Sequence, residues 1–115
     1  MGIEVKHSEL SAGVCLVRLS GRLDMEATEA DSPVLQTALN ESPAGVIVEM
    51  EAVTFISSSS MRMLIATQQN AQAAGKKLAI VRAKPLVYKI FKVAGLSDVF
   101  CFFETEAEAV DSLWR

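Results

Sequence analysis

Val46-Ile47-Val48-Glu49-Met50, continued by Val53-Thr54-Phe55-Ile56-Ser57-Ser58-Ser59-Ser60-Met61, is the stretch whose reading decides the fold. Three consecutive β-branched residues followed by Met50 suit a central strand buried on both faces. After Phe55-Ile56 the chain meets four serines, and then Met61, Leu64, Ile65 and Ala71 recur on one helical face, with Gly75 placed as a C′ residue. A buried strand, a short polar turn and an amphipathic helix form the first half of a β-α-β unit, so the sheet is expected to be partly parallel.

Outward from this unit the same alternation continues. Leu78-Ala79-Ile80-Val81 reads as another buried strand. Pro85 opens a helix to about Ala94, with Leu86, Ile90, Val93 and Ala94 inward and Gly95 stopping it. Val99 to Phe103 reads as a last strand, and Thr105 to Trp114 as a last helix capped near Glu104 or Thr105, with Ala109, Val110 and Leu113 inward. Upstream, Ile3 and Val5, then Cys15, Val17 and Leu19, alternate around Ser11-Ala12-Gly13 as an opening hairpin whose second strand ends at Ser20-Gly21. Helical spacing runs from about Met25 to Leu39, and Pro33 within it marks either a late start capped by Asp31 or Ser32, or a kink. Asn40 to Gly45 is a loop. The expectation is one α/β domain over residues 1–115, a mixed β-sheet with an N-terminal hairpin, covered by about four helices. Val17, Leu19, Ile47, Val48, Ile65, Leu78, Ile80, Ile90 and Phe100 should be largely buried.

The bulk properties narrow the function. A chain of 115 residues buries roughly two-thirds of the surface that its unfolded form exposes. Half of the residues are hydrophobic and the mean hydropathy is +0.29, yet no apolar run approaches the roughly 20 residues of a membrane span, so no membrane insertion is expected. The start lacks a positive segment before an apolar one, and Lys6 stands where a myristoylation motif needs Ser or Thr, so neither leader nor lipid anchor is expected. Cys15 and Cys101 sit among apolar neighbours and read as buried free thiols of a cytoplasmic protein. A net charge of −3 and a pI near 5.1 argue against nucleic acid as a partner. Lys76, Lys77, Arg82, Lys84, Lys89 and Lys92 read as a solvated face.

Catalytic sets are missing from the sequence. His7 is the single histidine, placed on the first strand far from the serines, so no triad and no histidine-rich metal site can be assembled. The glycines are isolated and no phosphate-cradling loop exists. Glu49 and Glu51 share a strand face, where carboxylates are commonly just solvated. The chain is expected to bind rather than to catalyse, with no cofactor and no metal.

Ser57 is the expected N-cap of the serine helix, because its hydroxyl can accept an orphan backbone N–H. Ser58 is then the first helical residue, at the positive end of the helix dipole, where an added phosphate is tolerated. Arg62 falls four residues on, on the same patch.

Leu19-Ser20-Gly21-Arg22-Leu23-Asp24, the central strand, the serine segment, and Ala94-Gly95-Leu96-Ser97-Asp98-Val99-Phe100 resemble, in order and spacing, the signature segments of STAS domains, here of the anti-sigma factor antagonist family. The resemblance covers nearly the entire chain. It implies that Ser58 is a phosphoacceptor, with Ser59 as the alternative in the run. It also implies a partner-binding face of Asp24, Ser57, Ser58, Ser59, Ser60 and Arg62. The implied partner is an anti-sigma factor that is also a serine kinase of the histidine-kinase-like ATPase fold, with a serine phosphatase as a further partner. The family segment usually reads Asp-Ser-Ser/Ala-Gly-Leu-Gly; here Ser57 stands for the Asp, Ser60 for the first Gly and Arg62 for the second. The alternative implied by the same resemblance is a constitutive scaffold subunit of a transporter or signalling complex, not phosphorylated.

Overall fold

A computed structural model of the chain describes residues 2–114. Its order is β1 (Gly2–His7), β2 (Val14–Leu23), α1 (Met25–Glu41), β3 (Gly45–Ile56), α2 (Ser58–Ala73), β4 (Lys77–Val81), α3 (Pro85–Val93), β5 (Cys101–Phe103) and α4 (Glu106–Leu113). The five strands lie in the order β1-β2-β3-β4-β5. β1 and β2 form the antiparallel hairpin, and every later neighbour is parallel. This is the expected mixed sheet with four helices.

The sheet has an uneven cover. On one face Leu35, Ala38 and Leu39 of α1, Met61 and Leu64 of α2, and Val87 and Phe91 of α3 close over Val17, Leu19, Val48 and Ile80. On the other, Ala109 and Val110 of α4 cover Val14, Leu16, Ile47, Ala79 and Val81, with Ala44, Phe103, Leu113 and Trp114 packed around them. β3 is therefore buried on both faces along its first half, as its β-branched run requires. Its entry is tight: Gly45 has φ +141°, and a Cβ there would stand 1.9 Å from the Lys77 carbonyl oxygen. Of the expected core, Ile65 and Ile90 are only half-buried, packed at its edge, and the remaining seven are buried.

Several local expectations are corrected. β2 does not end at Ser20-Gly21 but runs to Leu23, with register shifts between Arg18 and Ser20 and between Gly21 and Arg22; Gly21, at φ +82°, absorbs the irregularity. α1 starts at once, capped by Asp24 rather than by Asp31 or Ser32, and continues through Pro33. Pro33 is exposed, and the Glu29 carbonyl that loses its partner belongs to an exposed turn that water can reach. Asp31 is instead buried within the helix, and desolvation raises its carboxyl pKa above the ordinary value.

α3 is rotated from the expected face. Val87 and Phe91 are buried, whereas Leu86, Val93 and Ala94 are exposed. The stripes 86/90/93 and 87/91 are adjacent on a helix, and the second wins because Phe91 makes edge-to-face contacts with Phe100 and Phe102 at 5.5 and 5.2 Å. Cys101 is exposed, while Cys15 is buried; both are free. The basic residues are not merely solvated. Lys76 Nζ donates to the Leu39 carbonyl at 2.6 Å, and Lys77 Nζ to the Leu113 carbonyl at 3.0 Å, so each serves the C-terminal turn of a helix that lacks a basic residue of its own there. Glu49 is buried, not solvated: Arg18 Nε and Arg82 Nη1 donate to its two oxygens at 2.9 and 3.0 Å.

Candidate functional site

The C-terminal ends of parallel β2 and β3 deliver two helix N-termini side by side, the position where open α/β sheets present their sites. Asp24 ends the first connection and the serine run ends the second.

Ser57 is the N-cap of α2, extended at φ −82° and ψ 167°, and its hydroxyl accepts the Ser60 amide at 3.2 Å. Ser59, half-buried, has its hydroxyl 2.9 Å from that of Ser57. Ser60, expected on the contact surface, is wholly buried: its hydroxyl lies 2.9 Å from the Leu23 carbonyl oxygen and 2.5 Å from the Thr28 hydroxyl. Ser58 is exposed at the first helical position, and its hydroxyl has no partner among the described residues. Identical residues thus acquire four different environments, because successive helical positions turn by about 100°. Arg62 is exposed one turn further along.

Asp24 is half-buried, and its carboxylate accepts the Ala27 amide at 3.0 Å to cap α1. Its carbonyl oxygen lies 2.8 Å from the Thr28 hydroxyl and 3.4 Å from the Ser60 hydroxyl. The Ser57 amide bonds the Leu23 carbonyl at 2.8 Å. Thr28 and Ser60 therefore stitch the start of α1 to the start of α2, which brings Asp24 and the serine run to one end of the sheet. Beside Asp24, Met25 is 65% exposed; on the neighbouring strand ends the Arg22 guanidinium lies 4.4 Å from the Phe55 ring centroid. The sequence reading missed Asp24 as a cap, although an Asp directly before a helical run signals one. It missed Thr28 altogether, because nothing local marks a residue whose partner lies 32 positions away.

The STAS domain model matches residues 6–109. The chain belongs to the STAS domain family. A curated relative, the anti-sigma F factor antagonist of Paenibacillus polymyxa, is 22% identical over 112 residues, covering 96% of this chain and 93% of its own. Among solved structures, a putative anti-sigma factor antagonist from Thermotoga maritima superposes with a TM-score of 0.86 at 17% identity, over 98% of this chain and 95% of that one. The Bacillus cell fate determinant SpoIIAA in its phosphorylated form superposes at 0.70 with 22% identity, over 96% and 98% of the two chains. At these identities the structural likeness establishes the STAS fold of this chain. No helix among the described residues is long and apolar enough to cross a membrane.

Proposed function

We propose that this STAS domain is an anti-sigma factor antagonist, a cytoplasmic, non-enzymatic binding protein switched by phosphorylation of Ser58. The observation that carries the reading is the state of the serine run. Ser57 is spent on capping, Ser59 bonds to Ser57, Ser60 is buried, and Ser58 alone offers an exposed, unbonded hydroxyl. The names of the relatives, antagonists of anti-sigma factors, support the partner class, and a phosphorylated form of one of them supports a modification of this kind.

The partner in this reading is an anti-sigma factor that is also a serine kinase of the histidine-kinase-like ATPase fold, opposed by a serine phosphatase. It docks on the end formed by Asp24, Ser57, Ser58, Ser59 and Arg62, while Ser60 supports that face from beneath. A phosphate on Ser58 adds about −1.5 to −2 charges. The positive end of α2 and the Arg62 cation one turn on accommodate it within the free domain, so folding survives. A partner packed on the same helix start must instead bury that charge, and release follows.

One observation favours a second reading, a constitutive scaffold subunit that is not phosphorylated. Ser57 puts a neutral hydroxyl where the family motif has a carboxylate beside the acceptor, and the nearby Asp24 carboxylate is committed to its own helix. The test is incubation with the cognate kinase and ATP, mapping of the modified residue by mass spectrometry, and partner titration with Ser58→Ala and Ser58→Glu. The expected result is modification of Ser58 and binding by Ser58→Glu at least about a hundred-fold weaker than by Ser58→Ala. No modification in the run, with equal binding by both variants, rejects the switch in favour of the scaffold.

A further inference from the structure

The two edges of the sheet are unlike. β5 is three residues long, a short edge that offers little to a foreign strand. β1 is six residues long, pairs with β2 without a register shift, and contains neither proline nor bulge. Its other side is open.

Hydrogen-bond parity says which groups face outward. The Ser8 amide donates to the Val14 carbonyl, and the register pairs Lys6 with Leu16 and Glu4 with Arg18. In an antiparallel ladder the bonded pairs alternate, so the even-numbered residues of β1 bond inward to β2, and Ile3, Val5 and His7 turn their N–H and C=O groups outward. The side chains of the strand alternate too. Ile3 packs against the core below α1, and Val5 lines an open groove of about 350 Å³ with Pro33, Val34, Thr37, Ala38 and Glu41. Glu4 and Lys6 lie on the opposite face, both exposed.

We infer that β1 pairs antiparallel with β1 of a second copy of this chain, about a two-fold axis at Val5, to make a continuous sheet across two domains. In that register Val5 faces Val5 of the other copy, and Ile3 faces its His7. These are all outward-bonding residues, and they supply about six main-chain hydrogen bonds. Glu4 then faces the other copy's Lys6, and Lys6 its Glu4, in the pairs where side chains approach most closely. The strand is thus complementary in charge to itself when reversed. Arg18 occupies one Glu4 oxygen at 2.9 Å, but the Glu4 side chain is 62% exposed, so its carboxylate can still meet a lysine. Lys6 has no partner among the described residues. On the helix side the two Val5 side chains and the apolar groove beside each are drawn together and covered. A strand of one charge sign would repel its copy; this one alternates.

Sedimentation velocity of the full chain from micromolar to millimolar concentration tests the inference, with melting temperature as the control for folding. The wild type should show a concentration-dependent monomer–dimer equilibrium. Val5→Pro removes an outward N–H that the monomer does not use, so it should leave a folded monomer. Glu4→Lys should weaken the dimer about ten-fold, since both symmetric pairs become repulsive. Glu4→Lys combined with Lys6→Glu should recover it, although no carboxylate returns to the position opposite Arg18. A wild type that stays monomeric throughout, a dimer indifferent to Val5→Pro, or a double variant no better than Glu4→Lys overturns the inference.

Discussion

The stitch between the two helix starts can be weighed by a double-mutant cycle on Thr28 and Ser60. Two hydroxyls carry two protons, and the acceptors are the Leu23 and Asp24 carbonyls and each other. The protons can run from Thr28 through Ser60 to Leu23, or from Ser60 through Thr28 to Asp24. Ser60→Ala breaks either chain but leaves no buried acceptor orphaned, because Leu23 keeps the Ser57 amide at 2.8 Å and Asp24 keeps the Thr28 amide at 2.9 Å. Its cost is therefore the net worth of a hydrogen bond, about 1 kcal/mol, rather than a full desolvation penalty. Thr28→Val keeps the shape and should cost about the same. Each single variant already removes the shared 2.5 Å bond, so the double variant should cost less than the sum by about 0.5–1 kcal/mol. Urea denaturation reads all three, and each single loss corresponds to a drop of roughly 4 °C in melting temperature. Ser58→Ala, at an exposed hydroxyl, should stay within about 0.5 kcal/mol of wild type. Additivity within about 0.3 kcal/mol would show that the hydroxyls act independently and that the stitch does not join the helices.

Ile47, wholly buried between β3's neighbours and α4, should lose about 2–5 kcal/mol on change to Ala, measured by the same denaturation; an unchanged midpoint would contradict its place in the sheet. Gly45→Ala should cost more than about 4 kcal/mol or yield no folded protein by circular dichroism, because the new methyl meets the Lys77 backbone rather than a movable side chain. For Asp31, burial raises the folded pKa above the ordinary 3.8. Below that value both folded and unfolded states are protonated and burial costs little. As pH rises through it towards the folded pKa stability falls, and above the folded pKa the loss is complete. Asp31→Asn should accordingly melt higher than wild type at about pH 7 and nearly level with it at about pH 3; a gain of equal size at both would refute the electrostatic cause.

The element order was legible because each buried segment carries its own period. Val46-Ile47-Val48 and Leu78-Ala79-Ile80-Val81 are too continuous for an exposed strand, and the serine-to-Gly75 segment carries caps at both ends. The face of α3 was not legible, since two apolar stripes one residue apart are equal in period and only the Phe91–Phe100–Phe102 cluster, assembled by β5, chooses between them. The burial of Glu49 was hidden for the same reason: its two arginines come from β2 and from the residue that follows β4, and no window of sequence contains all three. The candidate site was half legible. Position in the run identified Ser57 as the cap and Ser58 as the first helical residue, which local rules govern. The roles of Ser60 and Thr28 depend on the packing of α1 against α2 and were out of reach.

That division bears on how the departures from the family motif should act. Two of them, at Ser60 and Arg62, replace glycines, and on sequence alone both add bulk where a partner would approach. The structure separates them. The Ser60 side chain points into the domain and bonds the β2–α1 connection, so its bulk is hidden and its effect is to fix the two helix starts relative to each other. Arg62 stands in solvent, so its bulk and charge meet whatever approaches. Arg62→Gly should therefore change partner affinity and its salt dependence, with only the stability loss of an exposed helical glycine, about 1 kcal/mol. Ser60→Gly should do the reverse, destabilising by the lost hydroxyl bond and the helical glycine together, about 2 kcal/mol, while partner affinity measured well below the melting temperature stays near wild type. If Ser60→Gly instead shifted affinity as much as Arg62→Gly, the stitch would be transmitting to the proposed docking face, and the serine run would act as one unit rather than as four separate environments.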